Sequence, residues 1–417
     1  MKFTYIRLLF CILAAIVPTT AMALTLREAN SDALIRDLNN ALETKDIDKI
    51  RPWLADTFTI SVSSDAEAVD IFDMLLRDER TADKVKLVSG GTDKAGRRIL
   101  NVVFFEHGKK IKSIIGLTHD GKIEFVDYLN NLFGHSRYGK SRLVASLPFE
   151  MADGDKIVIK VRINQNPDTL RFMFDTGSDG MGLSKAMAAR LGLEVAEKME
   201  TNIVGGVTNI SISRDNEVRL PGSSVVLPAQ SIGIFDEEPA HGCDGIIGLS
   251  IAQHYITRID FERCVIDLYN FGEYDFGDKG FLVPIEVDNI ILVPCGLNIT
   301  GGKEVRGNFV LDTGASFNLI CFSRFTRKNR LFFSGFKSDT STRTIGIMGS
   351  LRPTRIGNVA EVTIGDNIML NDVPVAMQLS YPEATAGEKD GSLGIGILKR
   401  FNLTIDLLRR NIHLESF

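Results

Sequence analysis

An internal duplication constrains the fold of this 417-residue chain more than any other feature of its sequence. In the first copy, an apolar segment at residues 170–174 runs directly into Asp175-Thr176-Gly177. In the second copy, residues 308–311 run in the same way into Asp312-Thr313-Gly314. Both copies consist of short apolar segments separated by glycine-containing turns, a pattern typical of strands. We therefore expect two β-barrel-like lobes related by pseudo-two-fold symmetry, each with one Asp-Thr-Gly at a strand end.

Two later pairs of segments indicate that the copies stay in register. Residues 244–248 (Asp-Gly-Ile-Ile-Gly) match residues 390–394 (Asp-Gly-Ser-Leu-Gly), and residues 259–263 match residues 405–409. Both pairs have an offset of 146 residues (390 − 244 and 405 − 259), whereas the Asp-Thr-Gly pair has an offset of 137 (312 − 175). The second copy therefore carries nine additional residues (146 − 137) between its motifs. A duplication this regular argues against a chance occurrence of the tripeptide.

The two aspartates of these motifs are the candidate catalytic residues. Carboxylates held about 3 Å apart cannot both ionise, so they share one proton and can act together as a base and an acid. Thr176 and Thr313 can form hydrogen bonds across the symmetry axis, and the glycine after each threonine lets the backbone turn sharply. Such a pair can activate a water molecule for attack on a carbonyl group.

Residues 143–417 resemble the aspartic proteases of the pepsin and retropepsin clan. The resemblance rests on both Asp-Thr-Gly motifs and on two hydrophobic-hydrophobic-Gly elements, which end at Gly248 and Gly394. In particular, the short lobes look like the bacterial tandem type, which fuses two retropepsin-like domains in one polypeptide. The resemblance implies a mainly β, bilobal acid-protease fold with lobes at residues 143–281 and 282–417.

The same resemblance implies a function. Asp175 and Asp312 would be the catalytic dyad of an endopeptidase that acts on peptide or protein substrates. Because both half-sites lie in one chain, the active form would be a monomer. Neither a metal nor an organic cofactor is implied. A second interpretation is a non-catalytic protein that binds an extended peptide in the cleft between the lobes, although intact aspartates at both positions favour the enzyme.

Two departures from the family pattern concern the flaps and the second glycine element. The segments that correspond to a pepsin-type flap lack its tyrosine and contain Gly205 and Gly206 in the first copy and Gly346 and Gly349 in the second. These glycines predict either retropepsin-like flaps that close over substrate or plain hairpin turns. Ser392 stands where the first copy has a hydrophobic residue in its glycine element.

The residue after each Asp-Thr-Gly differs between the copies and bears on which aspartate carries the shared proton. The Ser178 hydroxyl can donate a hydrogen bond to Asp175, which favours the charged form of that carboxyl. Ala315, at the matching position, has no side-chain donor for Asp312. The sequence therefore predicts that Asp175 is the ionised partner and Asp312 the protonated one.

The first residues of the chain have the pattern of a signal peptide. Lys2 and Arg7 precede a short apolar run at residues 8–17, and a small-x-small cleavage site follows at residues 21–23. Residues 1–23 are therefore expected to be removed, which predicts a secreted or periplasmic protein without a stable membrane anchor. The net charge of −5 and the lack of a basic cluster exclude a nucleic-acid-binding surface.

Residues 24–135 show helical spacing, including a second helix over residues 47–54, and then strand patterns, which together predict a small α+β domain. Residues 41–58 resemble the opening helices of nuclear transport factor 2-like (SnoaL-like) domains. Residues 136–142 are polar and basic, as in an exposed linker. The domain either inhibits the protease, as a pro-segment would, or is an independent ligand- or partner-binding domain tethered by that linker.

Cysteine usage leaves two alternatives open. Four cysteines follow the expected cleavage site, and this even number in a disulfide-permitting compartment allows three possible pairings. Four buried thiols are the other interpretation. The residues concerned are Cys243, Cys264, Cys295 and Cys321.

Overall fold

Two units make up the chain in the computed structural model, and the boundary between them falls between Arg137 and Tyr138. The residues that the structure describes are 30–203, 206–238, 242–338, 340–345, 351–379 and 389–417. The predicted signal peptide lies outside them. No helix within the described ranges is both long enough and apolar enough to cross a membrane.

The first unit is an α+β domain built on one six-stranded sheet. Its strands run in the order β2-β1-β6-β5-β4-β3, with β1 parallel to β6 and the other pairs antiparallel. The strands are β1 (Leu54–Ile60), β2 (Ser63–Ser64), β3 (Lys84–Thr92), β4 (Arg98–Glu106), β5 (Lys109–Leu117) and β6 (Ile123–Val126). The helices are α1 (30–44), α2 (Asp65–Arg77) and α3 (Asp127–Asn131).

One apolar face of α1 supplies much of the core of this unit. Leu34, Leu38 and Leu42 are buried at helical spacing and belong to the same apolar cluster as Phe58 and Phe104 of the sheet. The predicted α+β pattern is thus confirmed for this helix and for the strands. The second predicted helix is wrong: two single 3₁₀ turns, Ile47–Lys49 and Arg51–Trp53, lead into β1. Pro52 lacks the backbone donor that a continuous helix needs.

The predicted exposed linker is packed at both of its ends. Arg137 is buried, and its backbone N–H donates to Asp127 Oδ1 at 2.8 Å within the first unit. In the second unit, Ser141 Oγ donates to the Asn270 carbonyl at 2.9 Å, and the Arg142 backbone N–H donates to Asn270 Oδ1 at 2.8 Å. The prediction of exposure is therefore wrong for Arg137, because its guanidinium donates to Thr59 Oγ1 at 3.1 Å and stacks on the Phe125 ring, which allows its burial.

Within the second unit, the first copy folds into an eight-stranded sheet in the order β12-β13-β14-β11-β15-β10-β9-β8. An additional β13–β9 pairing brings the sheet toward a closed barrel. The strands are β8 (Glu150–Ala152), β9 (Lys156–Ile163), β10 (Leu170–Phe174), β11 (Met181–Ser184), β12 (Glu197–Ile203), β13 (Gly206–Arg219), β14 (Val226–Phe235) and β15 (Gly245–Ile247). Helix α4 (Lys185–Leu191) follows β11.

The second copy repeats this topology strand for strand, in the order β19-β20-β21-β26-β22-β25-β24-β23, with β20–β24 as the additional pairing. Its strands are β19 (Glu286–Asp288), β20 (Ile290–Asn298), β21 (Val305–Asp312), β22 (Leu319–Cys321), β23 (Thr340–Ile345), β24 (Leu351–Ile364), β25 (Ile368–Gln378) and β26 (Gly391–Gly394). The helices are α5 (Ser323–Lys328), a 3₁₀ turn (Leu331–Phe333) and α6 (Ile395–Leu398).

A six-stranded sheet joins the two copies, in the order β18-β28-β27-β16-β17-β7. Its strands are β7 (Leu143–Pro148), β16 (Ile256–Asp260), β17 (Val265–Tyr269), β18 (Phe281–Pro284), β27 (Phe401–Asp406) and β28 (Asn411–Ser416). At its centre, β16 of the first copy pairs with β27 of the second. The prediction of a mainly β molecule with two pseudo-symmetric, barrel-like lobes is confirmed.

All four cysteines after the predicted signal peptide are free thiols. Cys243, Cys295 and Cys321 are buried, and Cys264 is half-buried. No disulfide forms among these described residues. Of the two alternatives, the structure has the unpaired thiols.

Candidate active site

Each Asp-Thr-Gly follows a strand that is hydrogen-bonded on both sides. β10, which precedes Asp175, lies between β9 and β15, and β21, which ends at Asp312, lies between β20 and β26. The Asp175 backbone N–H still continues this pairing, since it donates to the Ile247 carbonyl at 2.9 Å. Because central strands of this kind are held along their whole length, the position of each aspartate is set by the sheet.

The threonines of the two motifs hold the two loops together. The Thr176 backbone N–H donates to Thr313 Oγ1, and the Thr313 backbone N–H donates to Thr176 Oγ1, each at 3.0 Å. Each hydroxyl in turn donates across the axis at 2.7 Å, that of Thr176 to the Leu311 carbonyl and that of Thr313 to the Phe174 carbonyl. Both threonines are fully buried. Four reciprocal hydrogen bonds thus fix the geometry between the copies.

The glycines of the motifs bring each loop against the opposite carboxyl group. A Cβ atom on Gly177 would lie 2.7 Å from Asp312 Cγ, and one on Gly314 would lie 2.5 Å from Asp175 Cγ. Only glycine leaves room for this approach. The backbone N–H of each glycine also donates to the Oδ1 atom of its own motif's aspartate, at 3.0 Å in the first copy and 3.1 Å in the second.

The structure therefore places the two carboxyl groups side by side, each against the glycine of the other motif. Loss of solvent raises the pKa of both, and the charge on Asp312 raises the pKa of Asp175 further. Two carboxyls this close cannot both ionise, so one of them keeps its proton. Among the described residues, no group of three or more His, Cys, Asp or Glu side chains is placed to hold a metal ion.

The prediction that Ser178 supports an ionised Asp175 is wrong. The Ser178 backbone N–H donates to the Asp175 carbonyl at 3.1 Å, but within the described residues its hydroxyl forms no hydrogen bond with the Asp175 carboxyl. Instead, Ser392 Oγ donates to Asp312 Oδ2 at 2.7 Å. Sequence analysis did not assign Ser392 to the site because it lies 80 residues away on another strand. The available signal was its polarity at a position where the first copy has Ile246.

The glycine elements lie directly beneath the aspartate loops. The Gly248 backbone N–H donates to the Gly180 carbonyl at 2.8 Å, and the Gly394 backbone N–H donates to the Asn318 carbonyl at 2.9 Å. A Cβ atom at Gly248 would overlap the Ser178 carbonyl oxygen, and one at Gly394 would overlap the Phe317 carbonyl oxygen. The two elements are therefore the supports on which the loops rest.

The aspartates that begin the glycine elements have a structural role instead of a catalytic one. Asp244 Oδ2 accepts a hydrogen bond from the Arg171 backbone N–H at 2.7 Å, and Asp390 Oδ2 accepts one from the Asn308 backbone N–H at 2.9 Å. Both bonds join a glycine element to the strand that carries the aspartate of the same copy. The repeated Asp-Gly thus fixes the register of β15 against β10 and of β26 against β21.

One family model and one solved structure are similar to parts of this chain. Residues 159–251 match the family model for aspartyl proteases. This stretch contains Asp175 and the first glycine element, and the match supports protease activity. The chain is also similar to the crystal structure of the aspartic proteinase from Irpex lacteus, at 16% sequence identity and a TM-score of 0.44, over 66% of this chain and 97% of that chain. No curated protein sequence matches the chain.

The predicted aspartyl-protease flaps are described only in part. Gly206 begins β13 and pairs with Ile203 at the end of the β12–β13 hairpin. In the second copy, β23 and β24 form the matching hairpin. Gly205, Gly346 and Gly349 lie outside the described residues. The closing of these hairpins over a substrate stays a prediction.

Proposed function

We propose that this chain is an aspartic endopeptidase, with Asp175 and Asp312 as the dyad that activates water against a peptide bond. The observation that carries the proposal is the pair of adjacent buried carboxyls at the ends of two duplicated strands, held by reciprocal threonine hydrogen bonds. Two groups that share one proton provide a base and an acid at the same point. Replacing either aspartate with asparagine is the decisive test.

The proposed reaction uses the two carboxyls in opposite protonation states. The ionised carboxylate accepts a proton from water as the water oxygen attacks the carbonyl carbon of the peptide. The protonated carboxyl donates to the carbonyl oxygen as negative charge develops there, which gives a tetrahedral diol. The carboxyl that took the proton from water then gives it to the leaving nitrogen, the other carboxylate takes a proton from a diol hydroxyl, and the C–N bond breaks. The rigid threonine network supports this mechanism because neither carboxyl has to reorganise during the reaction.

The alternative function is non-catalytic peptide binding, which hydrolysis assays would distinguish from protease activity. A buried pair of like carboxyls destabilises the folded state, and a protein that only binds peptides gains nothing from it. This cost to folding favours the enzyme. We also propose that the protein is secreted or periplasmic, which the pattern of residues 1–23 supports, and that it acts as a monomer of the tandem retropepsin-like type.

The pH dependence of stability should reveal the burial of the dyad without any assay of activity. Desolvation, together with the charge on Asp312, raises the pKa of Asp175 to about 8. A carboxyl whose pKa is raised by folding favours the folded state below its unfolded pKa of about 4, and that stabilisation is lost as the pH rises through the folded pKa. Asp175→Asn cannot ionise, so it should unfold at a higher temperature than the wild type at about pH 8, by several degrees, and the difference should shrink toward pH 4.

The matched control for this measurement is Asp288→Asn, which makes the same change at an exposed carboxyl on β19. Its unfolding temperature should follow that of the wild type at every pH. A difference between Asp175→Asn and the wild type that stays constant from pH 4 to pH 8 would contradict the raised pKa.

We further propose that residues 24–135 form an independent tethered domain of the nuclear transport factor 2-like type. Its own apolar core, built from α1, α2 and the six-stranded sheet, supports separate folding. The expected result is that residues 138–417 alone hydrolyse peptides with kcat/KM within about twofold of the full mature chain across pH. A rise in activity on removal, reversed by adding back the isolated domain, would establish an inhibitory role instead.

A further inference from the structure

We propose that Ser392 is a positioning residue that keeps Asp312 as the ionised member of the dyad, so that Asp175 carries the shared proton. This inference rests on the proposed protease function. It reverses the assignment that the sequence alone predicts, and it gives each aspartate a distinct role in the proposed reaction.

The position of Ser392 is fixed by the sheet on both sides. β26 lies between β21 and β22, where Ser392 is the partner of Val310 in the parallel pairing and of Ile320 in the antiparallel pairing. The residue is only 3% exposed, so water does not compete for its hydroxyl. Its Oγ donates to Asp312 Oδ2 at 2.7 Å, the length of a strong hydroxyl–carboxylate hydrogen bond.

The first copy has no counterpart to this hydrogen bond. Ile246 occupies the equivalent place on β15, opposite Met173 and Gly182, and packs into an apolar cluster. The Ser178 hydroxyl, the other candidate donor, makes no hydrogen bond to the Asp175 carboxyl in the described part of the chain. Among the described residues, a side-chain hydroxyl therefore reaches Asp312 and none reaches Asp175, which breaks the symmetry of an otherwise duplicated site.

Backbone N–H groups lower the pKa of both carboxyls, so the Ser392 hydroxyl is what distinguishes Asp312 from Asp175. Asp312 faces Ser392, the backbone N–H groups of Gly314 and Ala315, and one titratable group, Asp175. Desolvation raises its pKa, and the Ser392 hydrogen bond is the largest influence that lowers it. For Asp175, desolvation and the charge of Asp312 raise the pKa, and the backbone N–H groups of Gly177 and Gly314 lower it. Hydrogen bonds to a carboxylate stabilise its charged form, so the charge resides on Asp312.

This assignment makes Asp312 the base that accepts a proton from water and Asp175 the acid that protonates the carbonyl oxygen. The acid limb of the pH profile of kcat/KM reports the first ionisation of the pair, which is the loss of the proton from Asp312. The basic limb reports the loss of the shared proton from Asp175. Ser392 should therefore influence the acid limb and leave the basic limb in place.

The test measures kcat/KM against pH for a peptide that the wild type cleaves from a proteome-derived mixture. Ser392→Ala should move the acid limb upward by about one pH unit, because the ionised carboxylate loses one charge-assisted hydrogen bond. Ser392→Thr keeps a hydroxyl and should restore the wild-type limb. Ser178→Ala removes the other hydroxyl and should leave the limb unmoved. Two results would overturn the proposal: a shift of the acid limb with Ser178→Ala, or a loss of activity at every pH with Ser392→Ala while the acid limb stays in place. Neither result would contradict the protease function.

A second measurement is independent of hydrolysis. Because the Ser392 hydrogen bond strengthens when Asp312 ionises, the loss of thermal stability caused by Ser392→Ala should grow as the pH rises from about 3 to neutrality. In an Asp312→Asn background this growth should disappear. A loss that does not depend on pH overturns the inference even if the enzyme is active. If the wild type does not hydrolyse peptides, the proposed function fails, and a pH-dependent loss that requires Asp312 still establishes which carboxyl is ionised.

Discussion

Asp175→Asn and Asp312→Asn should each lower kcat/KM for peptide hydrolysis by at least about a thousandfold. Asparagine has nearly the same shape as aspartate but can neither accept a proton from water nor transfer one to a carbonyl oxygen. Because the reaction needs both functions at once, neither aspartate can replace the other. The measurement is kcat/KM for one reporter peptide with the wild type and both variants, from acid to neutral pH. Asp288→Asn should retain wild-type rates, since this carboxyl is exposed on β19.

The two variants should also differ from each other in stability, which separates a chemical effect from a loss of folding. Asparagine at position 175 can still accept from the Gly177 backbone N–H, and its amide NH₂ is a donor beside the Asp312 carboxylate. At position 312, one amide oxygen would have to replace two acceptors, which now serve Gly314 and Ser392. Asp312→Asn should therefore be the less stable variant. Near wild-type turnover by either variant would contradict the dyad.

Gly394→Ala and Gly248→Ala should each lower the free energy of unfolding by about 2–4 kcal/mol and abolish activity. A Cβ atom at Gly394 would overlap the backbone carbonyl oxygen of Phe317, and one at Gly248 would overlap that of Ser178. A backbone carbonyl cannot rotate away as a flexible side chain can, so the loop that carries the aspartate has to shift. Denaturant-induced unfolding measures the first effect and the reporter peptide the second.

The matched control is Gly302→Ala, because a Cβ atom there meets no heavy atom within 4 Å and its backbone is outside the left-handed region. This variant should unfold within about 0.5 kcal/mol of the wild type. If Gly394→Ala were as stable as Gly302→Ala, the glycine element would not be in tight contact with the loop that carries Asp312.

The sequence predicted the parts of the fold that depend on local pattern. The strands before Asp175 and Asp312 were predictable because each is apolar and ends at a turn tripeptide, and the structure has them as β10 and β21. The offsets of the repeat predicted that both copies share one plan, and their strand orders are identical. The duplication also predicted that Thr176 and Thr313 lie opposite each other, because two copies of one loop meet across a symmetry axis. The structure has this contact.

Other features depended on contacts between distant segments and on side-chain directions, which a sequence pattern does not reveal. Ser392 reaches Asp312 only because β26 inserts between β21 and β22, and that parallel pairing joins segments far apart in the chain. Ser178 is adjacent to the Asp175 motif in sequence, but adjacency did not determine the direction of its hydroxyl. Arg137 was predicted to be exposed from its charge, whereas Thr59 and the Phe125 ring allow its burial.

The most direct test of the account is whether one chain carries a complete catalytic dyad. The full mature chain, Asp175→Asn, Asp312→Asn and an equimolar mixture of the two variants are incubated with a proteome-derived peptide mixture, and new peptide termini are identified by mass spectrometry. We predict cleavage by the wild type alone, because each variant lacks half of its only dyad and mixing cannot restore it. Cleavage by either variant, restored cleavage in the mixture, or no cleavage by the wild type at any pH would contradict the account.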